Sequence, residues 1–151
     1  MADMSGTAST EIDAPIDRVW AIVQDVEATP GWQKGIDTMR AVERDAEDRA
    51  TRCETVTDAK VKVFTARVSF DYEPPTRLSW TQERGDLKSM DGSWQLEDLG
   101  EARTRATYSL RADPGALIGR FLKGALEEKM RAVLIEARPQ ELKTRAEAAR
   151  D

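Results

Sequence analysis

Residues 114–137 read PGALIGRFLKGALEEKMRAVLIEA, and this stretch decides the fold. Its apolar residues recur at steps of three and four, the spacing that places side chains on one face of a helix. These residues are Leu117, Ile118, Phe121, Leu122, Ala125, Leu126, Met130, Val133 and Leu134. Pro114 has the fixed φ that suits the start of a helix. A helix so apolar on one side requires a large apolar surface to pack against.

The end of this helix is predicted from Pro139, because a proline inside a helix kinks or stops it. We expect the buried part to end near Arg138. Gln140 to Asp151 should then form a frayed or separate polar segment at the periphery, and residues 1–6 should be frayed as well.

The chain from Ile36 to Ala112 supplies the apolar surface, because apolar and polar residues alternate there with a period of two. Six strands are predicted in it: Ile36 to Arg44, Ala50 to Thr57, Lys60 to Tyr72, Arg77 to Glu83, Ser89 to Leu96 and Arg103 to Leu110. They are short, turn-forming residues separate them, and no helical segment intervenes, which is typical of an antiparallel sheet. One face of this sheet should be apolar and aromatic, and the other solvated.

The first 35 residues add a strand and two short helices. Thr7 to Ile12 is predicted to be an edge strand, and Pro15 to open a helix that ends near Asp25. Val26 to Trp32 contains the sequence Thr-Pro-Gly, so a second helix there must be short and broken.

The amino-acid composition excludes several classes of function. The 151 residues predict a single domain over residues 1–151, with 40% hydrophobic residues and a net charge of −5. Lysines and arginines are interleaved with acidic residues and form no basic stripe, so we expect no binding to nucleic acid. The chain has no histidine, which removes the commonest general base and most zinc sites. No glycine-rich phosphate loop is present either, and we predict neither a metal nor a cofactor.

Cys53 is the single cysteine, so no intrachain disulfide forms and a reducing compartment fits. We interpret it as a small buried apolar residue. The first six residues show no signal peptide, and no apolar run approaches the roughly 20 residues of a membrane span. We expect a cytoplasmic protein.

Five local phrases, in the order of these elements, resemble the polyketide cyclase/dehydrase and START-like (SRPBCC) superfamily, which includes the major birch-pollen allergen. They are IDAPIDRVW at residues 12–20, DVEATPGW at 25–32, YEPPTRLSW at 72–80, GSWQLE at 92–97 and TRATY at 104–108. The resemblance covers about residues 7 to 137. It implies an α+β helix-grip fold, in which a seven-stranded curved antiparallel sheet wraps around a long C-terminal helix. A cavity is expected between the sheet and the helix.

The predicted ligand-binding residues lie on the apolar face of the sheet and on the first turns of the helix. They are Phe70, Trp80, Met90, Trp94, Tyr108, Leu117 and Phe121. Apolar pockets with a few polar groups are where small molecules bind. We therefore predict binding or transport of a small hydrophobic or amphipathic ligand, such as a lipid, polyketide or isoprenoid. The helix from Met130 to Leu134 is expected to seal the packed end instead.

An enzyme, a cofactor-independent polyketide cyclase or dehydratase, is the first alternative. The resemblance implies a pocket arginine, and Arg67 lies in a suitable strand, but alternation places it on the solvated face. Some cyclases carry a tyrosine where this chain has Ile36. The carboxylates that remain as candidate acids or bases are Glu54, Asp71, Glu83, Asp91 and Glu97.

Two interactions with macromolecules stay open. The second alternative is a protein-interaction module, like the ribosome-association toxins and coenzyme Q-binding proteins of the same superfamily. Val61 and Val63 are out of phase with the apolar set that begins at Phe64, and they mark either a bulge or an exposed strip that pairs with a second copy in a homodimer.

Overall fold

The computed structural model describes residues 4–59, 62–120 and 123–148, and the side chain of Leu117 lies outside the described part. The chain enters strand β1 at Met4–Ile12 and continues into helix α1 at Ile16–Gln24. A short 3₁₀ helix follows at Val26–Gly31. This opening confirms the predicted strand and pair of small helices, with Pro15 immediately before the first turn of α1.

Six further strands complete one antiparallel sheet. They are β2 (Ile36–Arg44), β3 (Ala50–Asp58), β4 (Val63–Glu73), β5 (Arg77–Gly85), β6 (Ser89–Gly100) and β7 (Arg103–Asp113). The spatial order is β1-β7-β6-β5-β4-β3-β2, so β1 is an edge strand as predicted. The predicted start of the fourth strand at Lys60 lies outside the described residues, and β4 begins at Val63.

The strand register places aromatic residues side by side on the inner face. Trp80 of β5 lies opposite Phe70 of β4 and Gly92 of β6. A Cβ atom at Gly92 would come within 2.6 Å of the Trp80 ring, so the missing side chain makes room for the indole. Trp94 of β6 likewise lies opposite Tyr108 of β7.

The C-terminal segment is helical but bent and interrupted, which corrects the prediction of one helix over residues 114–137. It comprises α2 (Gly115–Gly119), α3 (Ala125–Arg131), a π-helical turn (Ala132–Glu136) and α4 (Arg138–Ala148). Gly124, which precedes α3, has a φ of 58°, a left-handed conformation that glycine adopts without strain. The periodic pattern continues through this interruption, so sequence spacing alone did not reveal it.

Pro139 does not end the helical segment, and the expectation of a frayed polar tail from Gln140 is wrong for residues 140–148. The π turn, in which Ala137 N–H donates to the Ala132 carbonyl at 2.9 Å, re-aims the chain before the proline. Pro139 then lies in the first turn of α4, where its missing N–H is no loss. Leu142 and Ala146 are fully buried, so α4 is part of the core. Residues 4–6, also expected to be frayed, belong to β1.

Hydrogen bonds fix α4 to the N-terminal third of the chain. Glu147 Oε2 accepts from the backbone N–H of Asp13 at 2.9 Å, and Glu141 Oε2 accepts from that of Lys34 at 2.8 Å. Lys143 Nζ donates to the carbonyl of Glu11 at 3.0 Å. The helix therefore joins β1 to the loop that precedes β2.

The two faces of the sheet differ as predicted. The outer face carries ion pairs such as Arg67–Glu54 and Arg52–Glu83, both at 2.9 Å. Ser93 is an exception, because it was expected on the solvated side and only 8% of its surface is exposed. Its register partners are serines on both neighbouring strands.

Two isolated positions bear on the remaining predictions. Cys53 is fully buried, as expected of a small apolar residue, and burial raises the pKa of its thiol to about 11. Val63 is 50% exposed, Val61 lies outside the described residues, and the homodimer stays a prediction.

Within the described ranges, no helix is long and apolar enough to cross a membrane.

Candidate functional site: a cavity between sheet and helix

A cavity of about 170 Å³ lies between the inner face of the sheet and the C-terminal helical segment. Its wall is dominated by aromatic and sulfur-bearing side chains from both halves of the fold. These are Met4, Trp32, Met39, Phe64, Phe70, Trp80, Met90, Trp94, Tyr108 and Met130. Such a surface favours an apolar guest, because apolar ligand area is removed from water on binding.

Five of the seven residues predicted to bind a ligand line this cavity: Phe70, Trp80, Met90, Trp94 and Tyr108. Their positions follow from strand alternation, because residues two apart face the same side of a sheet. The other two, Phe121 and the side chain of Leu117, lie outside the described part of the chain. Whether any of the seven contacts a ligand stays a prediction.

The aromatic rings form a continuous row along the wall. Phe70 and Trp80 have ring centroids 6.3 Å apart, Trp80 and Tyr108 are 5.6 Å apart, and Tyr108 and Trp94 are 4.8 Å apart. Trp32 extends the row, with its centroid 6.3 Å from that of Trp94. Tilted and edge-on contacts at these separations are favourable for aromatic pairs, so the rings hold one another in place.

The cavity has two chemically different ends. We call the part lined by Trp32, Trp94, Tyr108 and Arg138 the inner end, and the part lined by Thr65, Gln82, Leu87 and Met90 the outer end. Met90 and Trp94 are four residues apart on β6, about 13 Å at the usual rise of a strand. Thr65 is exposed and the other three outer-end residues are half-buried, so the outer end lies nearer to solvent.

The prediction that the later turns of the helix seal a packed end is wrong, whereas the predicted cavity wall of Leu117 and Phe121 falls on side chains outside the described part of the chain. Met130 and Leu134, expected to seal a packed end, both line the cavity, and Arg138 joins them one turn later. The prediction assumed one uninterrupted helix, whereas the break before α3 and the π turn change which side chains face the sheet.

Arg138 is the functional candidate that the sequence analysis missed. Its side chain is 2% exposed, and Nη1 donates to the Lys34 carbonyl at 2.8 Å and to Glu141 Oε1 at 2.9 Å. Its Nε is buried and has no acceptor among the described residues. A signal in the sequence could have found it: Leu134, Arg138 and Leu142 are four residues apart, which places them on one helical face. The predicted helix stopped before Pro139, so this continuation was not used.

Tyr108 contributes a neutral hydroxyl at the same end. Burial raises the pKa of Tyr108, and the adjacent Arg138 guanidinium lowers it only in part. The phenol therefore stays protonated at physiological pH. It can donate or accept a hydrogen bond there, but it is not available as a base.

The carboxylates that the sequence offered as acids or bases do not line the cavity. They are Glu54, Asp71, Glu83, Asp91 and Glu97, and four of them are bonded to outer-face arginines. Arg67 is one of these arginines, as alternation predicted, and its hydrogen bond lowers the pKa of Glu54. Within the described residues, no group of three or more acidic or cysteine side chains is arranged to hold a metal ion.

Comparison with known proteins agrees with this geometry. The family model described as polyketide cyclase / dehydrase and lipid transport matches residues 3–147. The chain belongs to this family. The polyketide cyclase / dehydrase and lipid transport family is thus shown for nearly the whole chain, and it supports a ligand-binding or polyketide cyclase-like function. A comparison with curated proteins gives no match.

Solved structures share the helix-grip fold of this family member. A START superfamily protein from Mycobacterium smegmatis has a TM-score of 0.81 at 17% identity, over 95% of this chain and 97% of its own. A protein from Thermus thermophilus has a TM-score of 0.81 at 22% identity, over 97% and 99%. The Zhui aromatase/cyclase from Streptomyces sp. R1128 has a TM-score of 0.75 at 18% identity, over 97% and 94%. At these identities the likeness shows the fold alone.

Proposed function

We propose that this protein binds a small hydrophobic or amphipathic ligand, of lipid, polyketide or isoprenoid type, in the cavity between the sheet and the C-terminal helix. The observation that carries the proposal is the aromatic wall of the cavity, which contains only a few polar groups. Pockets of this composition are where small molecules bind in most proteins. Membership of a family that includes lipid transport supports the same conclusion.

The volume of the cavity limits the part of the ligand that it encloses. An engineered apolar cavity of about 150 Å³ stays dry and admits benzene. At about 170 Å³, this cavity has room for a compound of about one ring, and a longer ligand must extend through the outer end. Burial of about 200 Å² of ligand surface would contribute roughly 5 kcal/mol before the cost of association.

Titration of the protein with ethylbenzene, followed by tryptophan emission and calorimetry, tests the proposal. Three of the four tryptophans line the cavity, so we expect saturable binding with a change in emission. Ala66→Phe, which places a ring in the cavity, should abolish binding. The matched control Thr81→Phe, on the exposed face of the neighbouring strand, should leave it unchanged. Absence of saturable binding by ethylbenzene and larger apolar compounds would contradict the proposal.

A cyclase or dehydratase is the second candidate, and one observation favours it. Tyr108 and Arg138 are ionisable groups at the cavity wall, which an enzyme of this kind requires. Arg67, by contrast, is bonded to Glu54 on the outer face and is not placed to steer a substrate. Tyr108→Phe separates the two candidates: it should abolish product formation from a polyketide-like substrate if the protein is an enzyme, and change ligand affinity only a few-fold if it is a binding protein.

A further inference from the structure

Two N–H groups at the inner end of the cavity have no acceptor in the described part of the protein. They are Nε1 of the Trp32 indole and Nε of the Arg138 guanidinium, and both atoms are buried. A buried donor that loses its hydrogen bond is costly, so an acceptor from outside the chain, solvent or ligand, is favoured at this place.

Several contacts bring these two residues to the same end. The Trp32 ring packs on Trp94, the Trp94 ring packs on Tyr108, and the Arg138 guanidinium lies beside the Tyr108 hydroxyl. Arg138 also donates to the carbonyl of Lys34, two residues after Trp32. Both side chains therefore belong to the same end of the cavity wall.

The charge at this end is already balanced within the protein. Arg138 is the one charged residue among the described residues that line the cavity, and Glu141 Oε1 is 2.9 Å from its Nη1. Glu141 is itself held by the backbone N–H of Lys34, and Tyr108 stays neutral. An added carboxylate would thus be a buried charge without a counter-charge, which is strongly unfavourable. A neutral oxygen acceptor has no such penalty.

We propose that the ligand of this cavity is a neutral carbonyl compound, whose oxygen accepts hydrogen bonds from Trp32 Nε1 and Arg138 Nε. The inference rests on the proposed function and names the chemical class of its ligand. The apolar body of the ligand lies along the aromatic row toward the outer end, and the carbonyl group lies at the inner end. No bond is made or broken.

Three probes of nearly equal size test this inference: acetophenone, ethylbenzene and benzoate. Acetophenone should bind about tenfold more tightly than ethylbenzene, the difference expected for one well-placed buried hydrogen bond. Benzoate should bind more weakly than acetophenone. In ¹H–¹⁵N spectra, the Trp32 indole N–H signal should move downfield with acetophenone and not with ethylbenzene.

Trp32→Phe removes one donor and keeps an aromatic ring in place. It should weaken acetophenone binding about three- to tenfold and leave ethylbenzene within twofold of the wild type. Trp20→Phe is the matched control, because Trp20 is a buried tryptophan that does not line the cavity. It should change neither affinity. For each variant, the affinity for acetophenone is compared with the affinity for ethylbenzene. A general loss of stability would lower both affinities and would not change their ratio.

The outcomes separate this inference from the proposed function. Equal affinity for acetophenone and ethylbenzene, with an unmoved Trp32 signal, would overturn the carbonyl inference and leave the proposed function standing. Tighter binding of benzoate than of acetophenone would also overturn it. If neither these three probes nor larger apolar compounds bind, the proposed function itself fails.

Discussion

At the scale of single residues, Arg138 is expected to have a large effect on stability. It is almost fully buried, and its Nη1 bonds both the Lys34 carbonyl and the Glu141 carboxylate. A buried ion pair contributes little more to stability than a pair of hydrophobic residues in its place. Removal of only one partner, however, leaves the other as a buried charge without a counter-charge.

Arg138→Met should therefore lower the free energy of unfolding by about 3–5 kcal/mol, because Glu141 then has no positive partner at this buried site. Urea denaturation of the variant and the wild type measures the difference. Arg105→Met is the control, since the pairs of Arg105 with Glu97 and Glu11 are exposed and should each contribute at most about 1 kcal/mol. Equal effects of the two substitutions would show that Arg138 is not a buried partner of Glu141.

The two tyrosines predict how the protein responds to alkaline pH. Burial raises the pKa of both Tyr72 and Tyr108 above the ordinary value near 10. The unfolded chain then loses these protons before the folded one does. The stability linked to the tyrosines is complete below about pH 10 and falls as the pH rises above it.

Spectrophotometric titration of the phenolate absorbance checks this prediction. No phenolate should appear near pH 10 while the fold is intact, and its appearance at higher pH should coincide with loss of the near-ultraviolet circular dichroism. A titration with its midpoint near pH 10 in the folded protein would mean that the two hydroxyls are open to solvent.

At the scale of elements, α4 is the part of the fold whose role was least apparent beforehand. Its buried residues include Arg138, Leu142 and Ala146, one per turn, and the helix packs against β1, α1 and β7. Its other residues are largely polar, so its sequence looks like that of a solvated tail. Only the apolar positions four residues apart, continued past Pro139, indicate a buried helix.

Leu142→Ala should destabilise the protein by about 2–5 kcal/mol, because the side chain is fully buried and its removal leaves a cavity. Thermal and urea unfolding measure the effect. Leu99→Ala, at a half-buried position near the end of β6, should cost clearly less. If the two substitutions are equivalent, α4 is not packed as described.

The register of β5 and β6 gives a second prediction at this scale. Gly92→Ala places a methyl group about 2.6 Å from the Trp80 ring, which must then move. We expect a loss of about 1–3 kcal/mol together with a changed tryptophan emission, as for overpacked cores. Gly31→Ala has no atom within 4 Å of the added carbon and should be nearly neutral in both measurements.

At the scale of the whole molecule, the sheet and its inner face were predictable, because strand alternation is a local property. Trp80, Trp94 and Tyr108 needed only the period of two to be placed on the cavity wall. The five phrases then supplied the resemblance to a helix-grip fold, which periodicity cannot give. The outer-face position of Arg67 followed from the same alternation.

The C-terminal third was predicted less well, for a physical reason. A π turn adds a residue to one helical turn and shifts the phase of every later position. The expectation that a proline stops a helix considered Pro139 alone. It could not show that a π turn just before the proline changes the direction of the helix and lets it continue. Arg138 was missed because the step of four was not followed past Pro139, although Arg138 carries the charge at the inner end of the cavity.

The fixed inner end determines the route by which a ligand exchanges with solvent. Opening there would require separation of the buried Arg138 from Glu141 and from the Lys34 carbonyl, which also detaches the start of α4. At the outer end, the Gln82 side chain donates to the Leu87 carbonyl and the Thr65 hydroxyl donates to Asp86, so these bonds do not reach the helical segment. Thr65 already lies near solvent. A ligand should therefore enter and leave through the outer end, along the aromatic row, with its polar group first on entry. Its residence time should depend on the residues around Leu87 rather than on the Arg138–Glu141 ion pair at the inner end.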